Sequence, residues 1–362
     1  MSSKSKKVLV TGVAGFLGSH LSEKLVVLGH KVVGIDNMIG GYDDNVPKNI
    51  EFHNADCCDF QKVKSLMKDI DVVYHCAATA HEGLSVFSPY EITKNNYLAS
   101  VSIFTAAVNN KVKRIVYCSS MARYGNSKTP FTEDMEPNPI DPYAISKVAS
   151  EKVLANLCDL NNIEYVIAVP HNIIGPRQKY DDPFRNVVSI MLNRMMQKKA
   201  PIIYGDGEQK RCFSYIDDCI SCLIPMMDQK NLHREIINIG PDEEFVTVNK
   251  VAELCSNVSG FNSEPIYKKD RPQEVKHATC SSNKARKLLN YKTTTTLEES
   301  VNKTKDGYRI KEIVESKSEL DVRYYWDIVS NLLDKFSLSS YIKKNPPLTL
   351  IDKKQQSIME WI

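Results

Sequence analysis

The sequence predicts an α/β protein with a Rossmann-type, doubly wound parallel sheet and a smaller C-terminal lobe. Short apolar runs alternate with helical stretches over the first 170 residues, and a glycine-rich turn joins the first run to the first helix. Later in the chain, loops replace this alternation. Strands that alternate with helices imply a parallel sheet covered on both faces, because each crossover helix packs back onto the sheet.

The first elements form a βαβ unit of roughly 30 residues. Lys7–Thr11 is a short apolar run with high β propensity, and residues 16–28 have helical apolar spacing that ends at Gly29. Residues 31–35 form the next strand, which leads into Asp36. The alternation continues with strands predicted at 72–76, 114–119 and 165–169 and helices at 63–67, 98–109 and 144–157.

The chain divides into three predicted segments. Residues 1–170 form the Rossmann domain, and residues 171–310 form a substrate-binding lobe in which loops rich in Pro, Asp and Gly interrupt short helices. Residues 311–362 form a Lys- and Ser-rich extension to which we assign no chemistry. A chain of 362 residues exceeds one average domain, so one large or two interlocked domains are expected.

Composition and charge argue against several classes of protein. Hydrophobic residues make up 42% of the chain and charged residues 25%, as in an ordinary globular protein with a sizeable core. The net charge of +3 is scattered, whereas nucleic-acid binders concentrate basic residues in one stripe, so we expect no nucleic-acid partner. No apolar run approaches the roughly 20 residues that a membrane helix needs. The first residues lack the apolar core of a signal peptide, so we expect a cytoplasmic protein without a membrane partner.

The ten cysteines are interpreted as buried hydrophobic residues, because most lie inside apolar runs and a chain of this size needs no disulfide scaffold. Cys219 and Cys222 have the spacing of a zinc or redox pair. No second pair or nearby His completes a ligand set, and the surrounding run has the pattern of an apolar helix. We therefore predict no metal site.

The glycine-rich turn follows a strand and opens a helix. Gly12, Gly15 and Gly18 allow a tight turn, let the backbone approach a pyrophosphate and pack the helix against the strand. The helix N-terminus then supplies N–H donors to the phosphates. Asp36 at the end of the second strand would accept the adenosine ribose hydroxyls and repel a 2′-phosphate. The unit thus predicts a dinucleotide site that favours NAD over NADP.

The run Thr11-Gly-Val-Ala-Gly-Phe-Leu-Gly18 resembles the fingerprint of the extended short-chain dehydrogenases/reductases, in particular their NAD-dependent epimerase/dehydratase family. The resemblance covers about residues 7–300. Asn54-Ala-Asp56 resembles the family's adenine contact, and His75-Cys-Ala-Ala78 resembles the strand end beneath the cofactor. The resemblance implies that NAD is bound by Gly12, Gly15, Phe16, Leu17, Gly18, Asp36, Asn37, Asp56, Cys57, Ala77, Asn96, Tyr143, Lys147 and Pro170.

Tyr143 and Lys147 are one helical turn apart on the same face of a predicted helix. A free phenol has a pKa near 10, and a neighbouring ammonium together with the positive nicotinamide ring would lower it enough for Tyr143 to act as a base. The resemblance implies that Ser120, at a predicted strand end, hydrogen-bonds the reacting sugar oxygen and that Lys147 also holds the nicotinamide ribose. A Tyr-x-x-x-Lys pattern is common on helix surfaces, but behind this glycine turn it predicts the catalytic set Ser120, Tyr143 and Lys147.

The residues after Ser120 help to choose the reaction. Nucleotide-sugar 4,6-dehydratases of the family resemble one another in an Asp-Glu pair at this point, and the related decarboxylases keep a Glu. This chain has Met121-Ala-Arg123, without a carboxylate. The segment therefore favours oxidation and re-reduction at one carbon, and the resemblance is greatest to UDP-glucose and UDP-N-acetylglucosamine 4-epimerases.

The second lobe resembles the family's nucleotide-sugar site. Residues 170–178 resemble its Asn-x-x-Gly-Pro-Arg segment, and residues 203–211 resemble the loop in which an aromatic ring stacks on the base and an Arg grips the diphosphate. Guanidinium groups suit this role because their forks match phosphate oxygens. A small residue at position 278 resembles the epimerases that accept N-acetylhexosamines. The resemblance implies that a UDP-hexose or UDP-N-acetylhexosamine is bound by Ser120, Asn172, Asn186, Tyr204, Arg211, Arg271, Glu274 and Ala278.

Several residues depart from the family pattern. His171 replaces a common aromatic residue, and Glu82 follows His81 close to where the sugar should lie. They mark either an unusual sugar, with a carboxylate or an amino group, or structural polar contacts. Arg123 replaces an apolar residue and is interpreted as a solvated charge.

Two alternatives stay open beside epimerisation. One is another nucleotide-sugar dehydratase or oxidoreductase of the same fold. The other is a catalytically silent regulator that binds NAD or a sugar nucleotide, against which the intact Ser120, Tyr143 and Lys147 argue. The resemblance further implies a homodimer that forms through the helices at about 96–109 and 143–157.

Overall fold

The computed structural model of the protein describes residues 5–179, 182, 186–269 and 275–307. The predicted extension at 311–362 lies outside these residues, as do two predicted substrate-binding residues, Arg271 and Glu274. The described strands are β1 (Lys7–Thr11), β2 (Lys31–Asp36), β3 (Glu51–Asn54), β4 (Val72–His75), β5 (Arg114–Cys118), β6 (Glu164–Pro170), β7 (Ile173–Ile174), β8 (Ile202–Tyr204), β9 (Lys210–Arg211), β10 (Ser214–Tyr215), β11 (Ile236–Ile239), β12 (Val246–Thr247), β13 (Ile266–Lys268) and β14 (His277–Ala278).

Helices join most of these strands, and short turns of 3₁₀ or π helix extend some of them. The α-helices are α1 (Phe16–Val27), α2 (Phe60–Leu66), α3 (Glu82–Ser85), α4 (Pro89–Thr93), α5 (Ala99–Asn109), α6 (Pro142–Asn161), α7 (Val187–Met196), α8 (Ile216–Leu223), α9 (Val248–Ser259), α10 (Asn283–Leu289) and α11 (Leu297–Gly307). Among the residues described, no helix combines the length and the apolar character needed to cross a membrane.

Seven parallel strands form the central sheet, in the order β3-β2-β1-β4-β5-β6-β11. The strand order therefore runs outward in both directions from β1, as in a doubly wound Rossmann sheet. This confirms the predicted fold class. In such sheets ligands bind in the crevice at the carboxyl ends of the strands, where the order reverses, which here is between β1 and β4.

Successive residues of each strand face opposite sides of the sheet, so both faces carry a core. Leu9 and Val33 pack on one face with the apolar sides of α2, α5 and α6. Val8 and Val32 pack on the other face with α1, α8 and α10. The cysteine pair of α8, Cys219 and Cys222, is buried in this second core as free thiols.

The second lobe has a core of its own between α7, α9 and α11, and small sheets of two or three strands flank it. After it enters this lobe, the chain returns to the central sheet before it completes the lobe. Helix α8 returns to cover the central sheet, and β11 pairs with β6 at its edge. The two units are therefore interlocked, and the boundary drawn at residue 170 stays a prediction about the chain's organisation.

Candidate active site

The carboxyl ends of the central strands and the second lobe enclose a cleft of about 1020 Å³. Most of the predicted site residues line it. Those residues are Gly12, Gly15, Phe16, Leu17, Gly18, Asp36, Asn37, Asp56, Cys57, Ala77, Ser120, Tyr143, Lys147, Pro170, Asn172, Asn186, Tyr204, Arg211 and Ala278. Asn96 is described but is not among the residues that line the cleft.

The turn between β1 and α1 brings backbone against backbone. Gly12 has a φ of 75°, and a Cβ atom there would lie 2.9 Å from the backbone of Ala77. A Cβ atom on Gly18 would lie 2.1 Å from the carbonyl oxygen of Gly12. Only glycine fits at either position, and the result is a narrow concave turn at the mouth of the helix, where a pyrophosphate can approach the N–H groups.

Asp36 ends β2 at the rim of this turn. Its carboxylate accepts backbone hydrogen bonds from Ala14 (2.9 Å) and Met38 (2.8 Å), while burial raises its pKa. The carboxylate is thereby held in one orientation in the cleft wall. Farther along the same wall, the Asp56 side chain accepts a hydrogen bond from the backbone of Cys58 (2.8 Å). A carboxylate at the position of Asp36 suits NAD better than NADP, because it would repel a 2′-phosphate.

Asn96 supports the cleft from behind. It lies in a turn of π helix, Lys94–Leu98, between α4 and α5. Its side-chain oxygen accepts a hydrogen bond from the backbone N–H of Thr79 (2.8 Å), and its amide donates to the Thr79 carbonyl (3.1 Å). Asn96 therefore fixes the cleft-lining loop after β4, and its contact with the cofactor stays a prediction.

His75 is a second support beneath the cofactor site. The ring lies between the Thr11 hydroxyl (2.7 Å) and the Ser100 hydroxyl (2.9 Å), and burial lowers its pKa to about 3, so it is neutral. The Thr11 hydroxyl also accepts a hydrogen bond from the backbone of Ala77 (3.1 Å). The ends of β1 and β4 are therefore tied together where the glycine turn begins.

Ser120, Tyr143 and Lys147 meet at the floor of the cleft. Ser120 caps a 3₁₀ turn, Met121–Tyr124, with its hydroxyl accepting from the backbone of Ala122 (3.2 Å). The Nζ atom of Lys147 lies 5.9 Å from the ring centre of Tyr143. Burial lowers the pKa of Lys147 to about 8.

The start of α6 sets the position of Tyr143. Asp141 caps the helix by accepting from the backbone of Ala144 (2.9 Å), and a proline occupies the first helical position, where its missing N–H costs nothing. Ser85 at the end of α3 donates a hydrogen bond to the same Asp141 carboxylate (3.3 Å). Ser85 also donates hydrogen bonds to the carbonyls of His81 and Glu82, so it links these two cleft-lining residues to the start of α6.

The second lobe supplies the opposite wall. Asn172 has a φ of 42° and donates from its amide to the Cys212 carbonyl (2.9 Å). Asn186 caps α7 by accepting from Val188 (3.0 Å), so the positive end of that helix faces the cleft. Arg211 donates to the carbonyls of residues 275 and 276 and is aligned with Ala278 across β9 and β14.

Some functional positions were missed from the sequence. Along α7 the cleft-lining residues Ile190, Asn193, Arg194 and Gln197 have the i, i+3, i+4, i+7 spacing of one helix face, and three of them are polar. Three further lysines of the lobe also line the cleft, namely Lys179, Lys199 and Lys268. The lobe wall therefore carries several basic residues, which suit an anionic ligand.

The residues without an assigned role separate into two groups. His81 lines the cleft, and its Nε2 atom lies 2.7 Å from the Asp182 carboxylate, another cleft residue. His171 is not among the described residues that line the cleft; its Nε2 atom donates to the Pro241 carbonyl (2.9 Å). Arg123 is 2% exposed, so its interpretation as a solvated charge was wrong: it is a buried partner of Glu151.

Comparison with known proteins identifies the family of this chain. The model of the NAD dependent epimerase/dehydratase family matches residues 8–240. A protein from Methanocaldococcus jannaschii with a provisional assignment as a UDP-glucose 4-epimerase is 35% identical over 286 residues, which cover 78% of this chain and 92% of that protein. A UDP-N-acetyl-alpha-D-glucosaminuronate decarboxylase from Bacillus cytotoxicus is 32% identical, over 72% of this chain and 83% of its own length.

A solved structure shows the same fold. The crystal structure of UDP-glucose 4-epimerase from Thermotoga maritima with UDP-glucose is 30% identical, has a TM-score of 0.80, and covers 84% of this chain and 98% of that one. Relatives of this chain thus include UDP-sugar epimerases and decarboxylases. On these grounds the chain belongs to the NAD dependent epimerase/dehydratase family, whose cofactor is NAD.

Proposed function

We propose that this protein is a UDP-sugar 4-epimerase that works through a transient 4-keto sugar. One observation carries the proposal: Ser120, Tyr143 and Lys147 converge on the cleft floor, while the cleft residues that follow Ser120, Met121 and Ala122, carry no acid. Elimination of water or loss of CO₂ would need an additional acid–base group beside the sugar. Oxidation and re-reduction at one carbon need only a base and a hydride acceptor.

The cleft fits NAD. The close contact of Gly12 with Ala77 leaves a backbone-lined turn for the pyrophosphate, and the fixed Asp36 carboxylate suits an unphosphorylated ribose. When bound, NAD supplies the acceptor that takes a hydride from the sugar carbon and returns it. The redox balance then closes without an external reductant, so the protein has no reason to release the cofactor between turnovers.

The chain's own residues move the proton and hold the sugar. Tyr143 removes the proton from the O4 hydroxyl and returns it at the end of the reaction, with Ser120 hydrogen-bonded to the same oxygen. Lys147 supplies positive charge that favours the phenolate form of Tyr143. Meanwhile the basic lobe wall holds the diphosphate, so the 4-keto sugar can turn over without leaving the cleft.

Residue 278 is proposed to determine which substituent fits at C2 of the sugar. Ala278 is buried in the lobe wall and lines the cleft. A small side chain there leaves room for an N-acetyl group, so we propose UDP-N-acetylglucosamine and its 4-epimer as preferred substrates, with UDP-glucose and UDP-galactose as lesser ones. Arg271 and Glu274 are proposed to clamp the phosphates and the nucleotide ribose.

A decarboxylase is the second candidate, and two observations favour it. A UDP-sugar decarboxylase is among the relatives of this chain, and Glu82 puts a carboxylate in the cleft outside the segment that follows Ser120. In this case the substrate would be a UDP-uronic acid rather than a neutral sugar.

Product analysis separates these functions. The purified protein is incubated, without added NAD, with UDP-glucose, UDP-N-acetylglucosamine, UDP-glucuronate and UDP-N-acetylglucosaminuronate, and products are read by proton NMR. We expect inversion at C4 with the mass retained. Loss of CO₂ would identify the decarboxylase, loss of water would move the protein to the dehydratases, and no conversion of any sugar would favour the silent regulator. The Tyr143→Phe variant is the matched control for contaminating activity.

A further inference from the structure

Arg123 and Glu151 form an ion pair that is almost sealed from solvent, with exposed fractions of 2% and 5%. The Arg123 Nε atom lies 3.1 Å from Glu151 Oε1, and an Nη atom lies 3.1 Å from Oε2. The contact is therefore a bidentate fork in which both carboxylate oxygens are used. Such a fork has a narrow geometric tolerance compared with a lysine–carboxylate pair.

Glu151 belongs to the same helix face as two reacting groups. On α6 it follows Lys147 by four residues and Tyr143 by eight, so all three side chains project from one side of the helix. Its position is thus rigidly related to theirs. Any residue that Glu151 holds is held at a defined distance from the base and the ammonium.

Glu151 holds the turn that contains Ser120 from both sides. The Ser119 hydroxyl donates a hydrogen bond to the Glu151 carboxylate, and Arg123 closes the ion pair three residues after Ser120. The backbone N–H of Arg123 also donates to the Ser120 carbonyl (3.1 Å). Its guanidinium packs over the Tyr124 ring at 4.9 Å. Ser120 therefore lies between two residues that are both anchored on one carboxylate of α6.

We propose that the Arg123–Glu151 pair positions Ser120 against Tyr143 and Lys147, an inference that rests on the proposed function of these three residues. Neither member of the pair is among the described residues that line the cleft, so we assign the pair a positioning role rather than a contact with substrate. A buried ion pair is a weak source of stability, because well-packed apolar residues of similar volume serve as well or better. In this protein, the ion pair instead fixes the distance between the carboxyl end of β5 and α6.

The test uses a double variant that removes both charges, Arg123→Met with Glu151→Met. Replacing both partners avoids the uncompensated buried carboxylate that Arg123→Met alone would leave. We expect a melting temperature and NAD content like those of the parent, KM for the UDP-sugar within about threefold, and kcat at least about tenfold lower, because misplaced reacting groups slow the chemistry more than the binding. Arg123→Lys keeps the charge without the fork and should recover only part of kcat.

A second readout does not depend on turnover. Hydrogen exchange of the peptide that covers residues 119–125 should be about tenfold faster in the double variant, while peptides of the central strands are unchanged. The control is Arg234→Met with Asp159→Met, an exposed ion pair, which should change neither readout. If the parent forms no C4 epimer, the proposed function fails, and the exchange rates still decide the positioning role. Parent-like kcat and exchange in the double variant would overturn the inference, as would a general loss of stability or NAD.

Discussion

Lys147 donates a hydrogen bond of 2.8 Å from its Nζ atom to the carbonyl oxygen of Cys118, the last residue of β5. The ammonium is thus held by the strand that carries Ser120 two residues later. The same group lies over the ring of Tyr117 at 5.0 Å, and the side chain is buried, so the ammonium is largely shielded from water. The position suits an active-site cation and is costly for the folded state.

Burial of the Lys147 ammonium should make the stability of the protein depend on pH. Burial lowers the pKa of Lys147 from 10.5 to about 8, so between these pH values the unfolded chain carries a proton that the folded protein lacks. The free energy of unfolding should therefore fall as the pH is lowered from about 10.5 to about 8, and stay low below that. Nucleotide-free Lys147→Met should be more stable than the parent at pH 7 by up to about 3 kcal/mol, at about 1.4 kcal/mol per pKa unit.

Urea unfolding at pH 7 and pH 10 measures this difference. The advantage of Lys147→Met should shrink at the higher pH, although the variant is inactive. The control is Lys152→Met, an exposed lysine of the same helix, which should show no pH-dependent gain. An advantage for Lys147→Met that is the same at both pH values would refute the assigned cause.

Replacing Tyr143 by Phe tests the base. The ring is buried and its packing is preserved by Phe, so the fold and bound NAD should remain. Turnover should fall about 100-fold or more, because the proton of the sugar hydroxyl has no acceptor. Steady-state assays and the nucleotide content of denatured protein give the two measurements. Near-parental activity would mean that another group is the base, and Glu82→Gln would then be the next variant to assay.

Ala278→Tyr tests the proposed sugar. A phenol side chain at this buried cleft position should abolish conversion of the N-acetylated sugar while sparing any activity on the plain hexose. Ala278→Ser is the size-matched control and should keep both activities. Competition assays with the two UDP-sugars report the ratio of kcat/KM directly. Equal losses on both sugars in the Tyr variant would remove residue 278 as the selective element.

The homodimer remains a prediction, and exposed apolar side chains indicate which helix surfaces would form its interface. Tyr90, Leu98 and Ile145 are exposed to 74%, 52% and 53% on α4, the π turn and α6. These elements contain or adjoin the helices expected to pair, and burial of such side chains in a dimer would explain their exposure. Light scattering should show a dimer at micromolar concentration and a monomer for Ile145→Glu, with Lys152→Glu as control. A monomeric parent would contradict the prediction.

The predictable part of the molecule is the part encoded locally. Gly12, Gly18 and Asp36 follow one another within a single βαβ unit, so their spacing already implies the turn that the structure shows. Tyr143 and Lys147 likewise share one helix. For these residues, the number of positions between them in the sequence fixes their separation in space, because they lie within one helix or one βαβ unit.

Residues whose role depends on a distant partner were not predictable in this way. The buried Arg123 is paired with Glu151, which reaches it from α6, and the amide of Asn96 is hydrogen-bonded at both ends to the backbone of Thr79. Nothing in the neighbourhood of either residue in the sequence indicates these partners. The same holds for β11, a short run whose place beside β6 is set by tertiary packing.

The return of β11 and α8 to the central sheet has a consequence for protein engineering. A chimera that exchanges everything after residue 170 between relatives would also exchange the edge strand that pairs with β6 and two helices, α8 and α10, that cover one face of the central sheet. The central sheet of the recipient would then pack against a strand and helices with another protein's side chains, and such a mismatch leaves cavities or overpacked contacts that destabilise the fold. Grafts of new sugar specificity should instead keep residues 214–239 and α10 with the nucleotide half and exchange the other segments of the lobe.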